Sequence, residues 1–434
     1  MPWAGRKGRL DVQRRVVAIA LLVTGLGYAF DGYNNSVFGL VLPWMAHSLH
    51  LTYLIIGSIS SAFLFVYAFG ATIAGYFADL WGRRPLLMGT ILGYAVGALG
   101  MGLSTGIGML TASRSFSGLA LGGEIPVGWA YMAEQTSGRV RGRWLGMQQA
   151  FWPVGYLFAT LVVLVLAHHW LGTVSSGLAW RLAFLVGVLP AVLVIWIRYG
   201  MRESNTWTDN KQTNQKSLHP QIALTTLFQR HLMPSVLLGS LLQITGTVVF
   251  SAAMTWFPLY LVKVVHLTVV QETTDLVVWV AAAIVGQVLS GWLSDHWGRK
   301  TLTIIFTLGQ GLCFYAFTHI LNPTTLLLLA PIVGFFVLGM WGVISVWMNE
   351  LFPTAVRASG LGVTATVGRL VNVASPLLVG VIATSAGLRA ALIPFPALSL
   401  LTVICLLLWR RTPTVPQFSM ETPDPSPSVV APDL

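Results

Sequence analysis

Residues 75–84 read Gly75-Tyr-Phe-Ala-Asp79-Leu-Trp81-Gly82-Arg83-Arg84, and residues 291–300 read Gly291-Trp-Leu-Ser-Asp295-His-Trp297-Gly298-Arg299-Lys300. Gly, Asp, Trp, Gly and two bases recur in one order at one spacing, each time after a long apolar run. A repeat of this kind implies two related halves. The surrounding composition says what the halves are made of. Of 434 residues, 55% are hydrophobic and only 9% are charged, against roughly 25% charged in an ordinary soluble domain. The formal charge of +11 does not point to nucleic acid, which needs a dense charged face; charges here are nearly absent over long stretches. The lipid bilayer is the partner. Cys313 and Cys405 both lie in apolar runs, so neither a disulfide framework nor a metal site is supported, and His168, His169 and His319 add none.

An apolar stretch of about 20 residues crosses the hydrocarbon as a helix, because every backbone polar group is then satisfied internally. Twelve such spans are predicted, at 16–44, 53–79, 85–104, 107–134, 143–168, 178–201, 233–262, 271–296, 301–320, 323–350, 359–385 and 388–410. The fold class is therefore all-α membrane protein, with twelve transmembrane helices in two six-helix bundles. The polar stretch 202–232 falls between spans six and seven and reads as a linker joining an N-terminal bundle, 1–201, to a C-terminal bundle, 233–411. The tail 412–434, rich in Pro, Ser and Thr, is too polar to bury a core and is expected to be disordered.

Orientation follows from the loops, since Lys and Arg are retained on the cytoplasmic side. Arg6, Lys7, Arg9, Arg14 and Arg15, both repeat loops, Arg139, Arg141, Arg143, Arg357, Arg410, Arg411 and the linker bases share one side, while the other holds only Arg181, Lys263 and Arg389. Both termini are expected to be cytoplasmic and the chain to be a monomeric, multi-pass protein of the cell membrane.

The physical reading of the repeat is a latch. Arg83, Arg84, Arg299 and Lys300 are placed to cap helix C-termini, which carry partial negative charge. Asp79 and Asp295 are placed to pair with a base or with the N-terminus of a neighbouring helix. The alternative is simple retention of positive loops, which does not require the Gly and Asp. Glu134 with Arg141, and Glu350 with Arg357, flank two further turns on the same side and join Gly75 and Gly82 as gate candidates.

With these strings the chain resembles the major facilitator superfamily, whose loop signature is G-x-x-x-D-[RK]-x-G-[RK]-[RK]; Leu80 and His296 depart from it. The fourth span, Arg114-Ser-Phe-Ser-Gly118-Leu-Ala-Leu-Gly122-Gly123-Glu124, and Glu350-Leu-Phe-Pro353-Thr354-Ala-Val-Arg357-Ala-Ser-Gly360 are similar to the proton symporter branch for organic acids, such as the aromatic-acid and sialate symporters. Sugar porters share part of this, but the seventh span has a lone Gln243 rather than paired glutamines. The resemblance implies proton coupling through an acid in the first span and an Arg in the fourth. Aromatic-acid symporters usually read D-G-x-D in the first span, where this chain has Asp31-Gly32-Tyr33-Asn34.

Only Asp31, Glu124, Arg114 and Arg369 lie well inside the spans. A charge at mid-bilayer costs about 2.5–3.5 kcal/mol on insertion scales, so these residues are expected to face a cavity and to work. Asp31 is ~22 Å from the cytoplasmic end of its span and Arg114 ~10 Å from the outer end of its own, depths that allow contact. Asp31 is then the proton carrier and Arg114 its switch, or the two are a static buried pair. Arg369, with Asn372 at i+3, is either a carboxylate-binding cation or an ion-pair partner of Asp31 or Glu124. Glu124 is a second proton site or an anchor for neighbouring helices at the gate. Tyr33, Asn34, Trp256 and Trp341 complete the substrate-site candidates. No G-x-x-x-x-G-K-[ST] or HExxH string occurs, and no ATPase, hydrolase or cofactor chemistry is expected. The sequence predicts proton-coupled uptake of a small organic anion, with a sugar or neutral-solute symporter, an exporter and a non-transporting sensor as the alternatives.

Overall fold

The computed structural model describes residues 3–51, 53–136, 140–170, 176–189, 191–192, 201, 203–204, 208, 225–266, 269–320 and 322–409. Among these residues no strand occurs. The helices are α1 (Trp3–Ser48), α2 (Tyr53–Trp81), α3 (Arg83–Gly102), α4 (Ile107–Gln135), α5 (Arg141–Gln149), α6 (Phe151–Trp170), α7 (Ser176–Val186), α8 (Met233–Lys263), α9 (Val269–Trp297), α10 (Arg299–His319), α11 (Pro323–Val337), α12 (Met340–Glu350), α13 (Arg357–Leu392) and α14 (Pro394–Leu408). Eight helical stretches among the described residues are long and apolar enough to cross a membrane. The other expected spans map onto α4, onto α5 with α6, onto α7 and onto α13. These are the helices richest in Gly and intramembrane charge, or broken into short pieces. The tail 412–434 and most of the linker 202–232 lie outside the described residues.

Breaks in the helices have local causes. The second glycine of each repeat, Gly82 (φ +106°) and Gly298 (φ +85°), takes a left-handed conformation that L residues rarely adopt. It turns α2 into α3, and α9 into α10, within a single residue. Gly387 (φ +85°) likewise kinks α13, so the expected eleventh and twelfth spans meet there. Pro323 and Pro394 sit in the first turns of α11 and α14, where a missing N–H costs nothing.

The helices form two bundles that meet along α2 against α13 and α5 against α9. The repeat explains why these contacts are paired. The offset that carries Gly75 onto Gly291 also carries Asp79 onto Asp295, Glu134 onto Glu350 and Arg141 onto Arg357, so the two seams are copies related by swapping halves. Each is tight because of the first glycine of the repeat. A Cβ at Gly75 would lie 2.3 Å from the Ala358 carbonyl oxygen, and one at Gly291 would lie 2.3 Å from that of Gly142. The repeat loops thus mark one end of the molecule, called here the basic end.

Leu in place of Gly75 or Gly291 should wedge a seam apart. A cysteine placed at Ser359, buried in the closed seam, is expected to react several-fold faster with a water-soluble maleimide in either Leu variant; an unchanged rate would show that the glycines do not set the closure.

Candidate functional site

Two assemblies involve the predicted residues. The first closes the basic end. Helices α5 and α13 each begin after a valine, Val140 and Val356, with no capping bond from their own N-cap side chain, so their first N–H groups need partners. The partners come from the opposite bundle. Asp79 accepts hydrogen bonds from Ala358 N (3.3 Å) and Ser359 N (2.7 Å) at the start of α13. Asp295 accepts from Gly142 N and Arg143 N, both at 3.0 Å, at the start of α5. Helix-terminal N–H groups are a ready anion site, and each bundle supplies the other's anion.

Arginines knit the acids together. Arg83 reaches Asp79 at 2.8 Å and Glu134 at 3.0 Å, and donates to the carbonyls of Ala78 and Thr354; Arg357 lies 3.5 Å from Glu134. In the copy, Arg299 reaches Asp295 at 2.7 Å and Glu350 at 3.0 Å, while Arg141 lies 3.8 Å from Glu350. Burial pulls the Arg141 guanidinium below its ordinary range, with Glu350 the main opposing influence. The two copies differ in burial: the Glu134 side chain is 0% exposed and that of Glu350 30%. Lys300 donates to Trp409 O at 2.9 Å, a helix C-terminus. Arg84 donates through its backbone N–H to Glu203, which also takes the N–H of Arg83 and of Ser204. Glu203, the acid just after the sixth span, caps α3 and was not picked out in the sequence.

The second assembly is a cavity of about 540 Å³ between the bundles. Tyr28, Asn35, Ser36 and Tyr67 line one wall with Trp152 and Tyr156; Gln243, Thr247, Phe250, Gln287, Trp341, Arg369 and Asn372 line the other. Of the substrate-site candidates, Arg369, Asn372 and Trp341 line this cavity, and Tyr33 and Asn34 do not. Tyr33 is buried and donates to Ala183 O of α7, and Asn34 is buried and donates to Phe30 O of its own helix. The α1 residues that line the cavity are 28, 35, 36, 39 and 40; at ~100° per residue 34 lies on the far side of that stripe, and 33 at its edge, where its hydroxyl is taken by α7. The Trp256 side chain lies outside the described ones. Trp152, Tyr67 and Gln287 were missed; a scan for uncharged polar residues within spans would have found Gln287.

Among the described residues, no ion pair joins Asp31, Glu124, Arg114 and Arg369. Arg114 instead donates to Asn34 O at 2.9 Å and sits 3.9 Å above the Phe63 ring. Arg369 donates to Gly122 O at 3.1 Å and Tyr67 O at 3.2 Å, with its guanidinium 3.9 Å over the Tyr67 ring. Pro126 explains the first acceptor. Four residues beyond Gly122 in α4, it has no N–H for that carbonyl, so the oxygen is free for Arg369. Asp31 is fully buried one side chain behind the cavity wall. One of its oxygens accepts from Trp152 Nε1 at 3.0 Å and the other has no partner. Glu124 is not at the gate: it lies ten residues before Glu134 on α4, ~15 Å away.

The arrangement can hold an anion at Arg369 against aromatic faces, and can hold or release a proton at Asp31. Comparison with known proteins narrows this. The sequence model described as Major Facilitator Superfamily matches residues 24–376 and 276–431. The "Probable 4-methylmuconolactone transporter" of Cupriavidus pinatubonensis is 29% identical over 367 residues, covering 84% of each chain. The "Niacin transporter NiaP" of Acinetobacter baylyi is 27% identical over 384 residues, covering 83% of this chain and 85% of the relative. Among solved structures, the proton:xylose symporter XylE bound to 6-bromo-6-deoxy-D-glucose superposes with a TM-score of 0.78 at 18% identity, covering 91% of this chain and 96% of that one.

The unequal burial of the two gate acids predicts unequal costs. Glu134→Gln removes one of the two acids that face buried Arg83 and should cost about 1.5–3 kcal/mol, whereas Glu350→Gln, at a partly exposed site, should cost about 0–1 kcal/mol. Thermal unfolding in detergent should rank them so; equal shifts would reject the assignment.

Proposed function

The chain belongs to the major facilitator superfamily and is a membrane transporter rather than an enzyme; within that family we propose that it is a proton-coupled importer of a small organic anion, a carboxylate or aromatic acid. One observation carries this reading. Arg369 faces the cavity, and among the described residues no carboxylate pairs with it; its partners are backbone carbonyls and a tyrosine ring. A cation kept without a counter-ion at the centre of two bundles is a site for an incoming anion, and its planar fork suits a carboxylate.

Coupling follows from competition. Asp31 interacts electrostatically with Arg369 first and Arg114 second. An anion at Arg369 takes up the field that would keep Asp31 ionised, so anion binding favours the protonated form of Asp31, and by linkage protonation favours anion binding. Anion and proton then load together. Trp152 supplies the connection, because its ring lines the cavity while its indole N–H holds Asp31.

The same contacts tie binding to rocking. Arg369 belongs to the C-terminal bundle, and its acceptors, Tyr67 O and Gly122 O, belong to the N-terminal one. A carboxylate that takes over the guanidinium removes that cross-bundle bond and leaves the basic-end latch as the main tie. With the basic end cytoplasmic, as the loop bases suggest, the closed state receives substrate from outside and opens inward when Asp79 and Asp295 let go. The names of relatives that carry niacin and a muconolactone support a small ring-bearing substrate.

Uptake into proteoliposomes under an acid-outside gradient, screened over aromatic and aliphatic carboxylates and sugars, tests this. Carboxylates should accumulate; accumulation of sugars alone, or of nothing, would reject the reading. Asp31→Asn should abolish gradient-driven accumulation yet keep substrate counterflow, and loss of both would make Asp31 structural. Arg369→Gln should weaken anion binding roughly 10–100-fold, since a hydrogen bond to a charged group contributes about 1.5–3 kcal/mol; unchanged affinity would remove Arg369 from the site.

A further inference from the structure

A second carboxyl group is buried deeper in the N-terminal bundle. Glu124 is 2% exposed, faces α1 and α3 rather than the cavity, and has no ion-pair partner among the described residues. Its oxygen Oε2 lies 2.7 Å from the Thr90 hydroxyl, and Oε1 has no hydrogen-bond partner. Among the described residues, the titratable groups that act on it electrostatically from the packed helices are Asp31 of α1 and Tyr94 of α3, whose buried hydroxyl also lacks a partner, and no base offsets a negative charge there. Burying a bare carboxylate costs several kcal/mol per ion, so a group in this setting takes a proton instead.

The threonine gives an independent geometric sign. Thr90 Oγ1 also lies 3.1 Å from Leu87 O in its own helix. A hydroxyl has one hydrogen and two lone pairs, and in a helix that hydrogen commonly goes to a carbonyl one turn back. With it on Leu87 O, the 2.7 Å contact requires a hydrogen from the carboxyl. Protonated Glu124 donating through Oε2 to Thr90, and Thr90 to Leu87 O, gives both hydrogens of this chain an acceptor.

The repeat shows that packing does not need an acid here. The offset that carries Glu134 onto Glu350 carries Glu124 onto Met340 and Thr90 onto Phe306, and the surroundings correspond. A Cβ on Gly123 would meet Thr90 and Gly70, and one on Gly339 would meet Phe306 and Gly286, the same positions in the other half. Met340 is fully buried, its sulfur met by the Thr307 hydroxyl at 3.7 Å. One half of the protein fills this position with a thioether, and the other with an uncompensated acid that α1 approaches closely: a Cβ at Gly27 would lie within 2.3 Å of Glu124 Oε1. Gly27 is one turn, ~6 Å, nearer the basic end than Asp31.

We infer that Glu124 carries a second transported proton, held on the carboxyl while the basic end is latched and released to water on that side when the latch opens. Asp31 is its neighbour one turn outward, with Tyr94 acting on both. The proton path then runs inside the N-terminal bundle beside the substrate cavity and not through it. This rests on proton-coupled anion uptake as proposed above. Two protons entering with one monocarboxylate move one net positive charge inward, whereas one proton moves none.

The test measures that charge. Proteoliposomes on a solid-supported membrane receive benzoate as the probe monoanion, and uptake of labelled benzoate is measured in parallel. The expected result is inward positive current for the native protein, and gradient-driven uptake without current for Glu124→Met, which copies the sister position and should fold; retained counterflow verifies folding. Equal charge per benzoate in the variant overturns the inference. A second arm needs no substrate. At neutral pH the native protein's infrared spectrum should show a protonated-carboxyl carbonyl stretch that Glu124→Gln and Glu124→Met lack, and its persistence in both variants overturns the assignment. If no acid gradient drives uptake even in the native protein, coupled uptake itself fails, while the infrared arm still decides the state of Glu124.

Discussion

One helix start in each bundle is capped by an acid of the other bundle. The N–H groups at the start of α13 are met by Asp79, and those at the start of α5 by Asp295. An anion against helix-terminal N–H groups is strong while made and leaves exposed polar groups that water satisfies when broken. That is the property a reversible closure needs. The glycines of the repeat let the helices approach to this distance, and the arginines fix where the acids point. On the function proposed above, the basic end opens when these caps are broken.

Inside the cavity the same economy appears. Pro126 removes one backbone donor, which leaves the Gly122 carbonyl free, and Arg369 from the opposite bundle takes it. A cation that would otherwise need a carboxylate is held by backbone oxygens and an aromatic face, and stays available to a ligand. Asp31 waits behind Trp152. On the function proposed above, substrate, proton and bundle movement share these few groups, so a change at any one of them is expected to shift the other two.

Much of this was legible in the sequence, for identifiable reasons. The repeat reveals the two halves because its glycines and acids serve backbone geometry, which tolerates little substitution. The scarcity of intramembrane charge marks Asp31, Arg114, Glu124 and Arg369, because an ion in hydrocarbon is expensive wherever it sits. Their partners were not legible. Arg114 and Arg369 end on main-chain carbonyls, which no side-chain pattern displays. Asn34 and Asn35 are equally polar neighbours, and only the helix phase shows that Asn35 faces the cavity. The cavity wall is collected from helices far apart in the chain, so Trp152, Tyr67 and Gln287 carry no local signature.

The account stands or falls on the exchanged caps. Spin labels at Trp81 and Trp297, exposed on opposite bundles beside the two repeat loops, report the width of the basic end by pulsed electron resonance. The native protein should show a short distance as its main population, and the Asp79→Asn, Asp295→Asn double variant should show a longer one in its place. An unchanged distribution in the double variant would mean that the basic end is closed by something other than the caps each bundle lends the other.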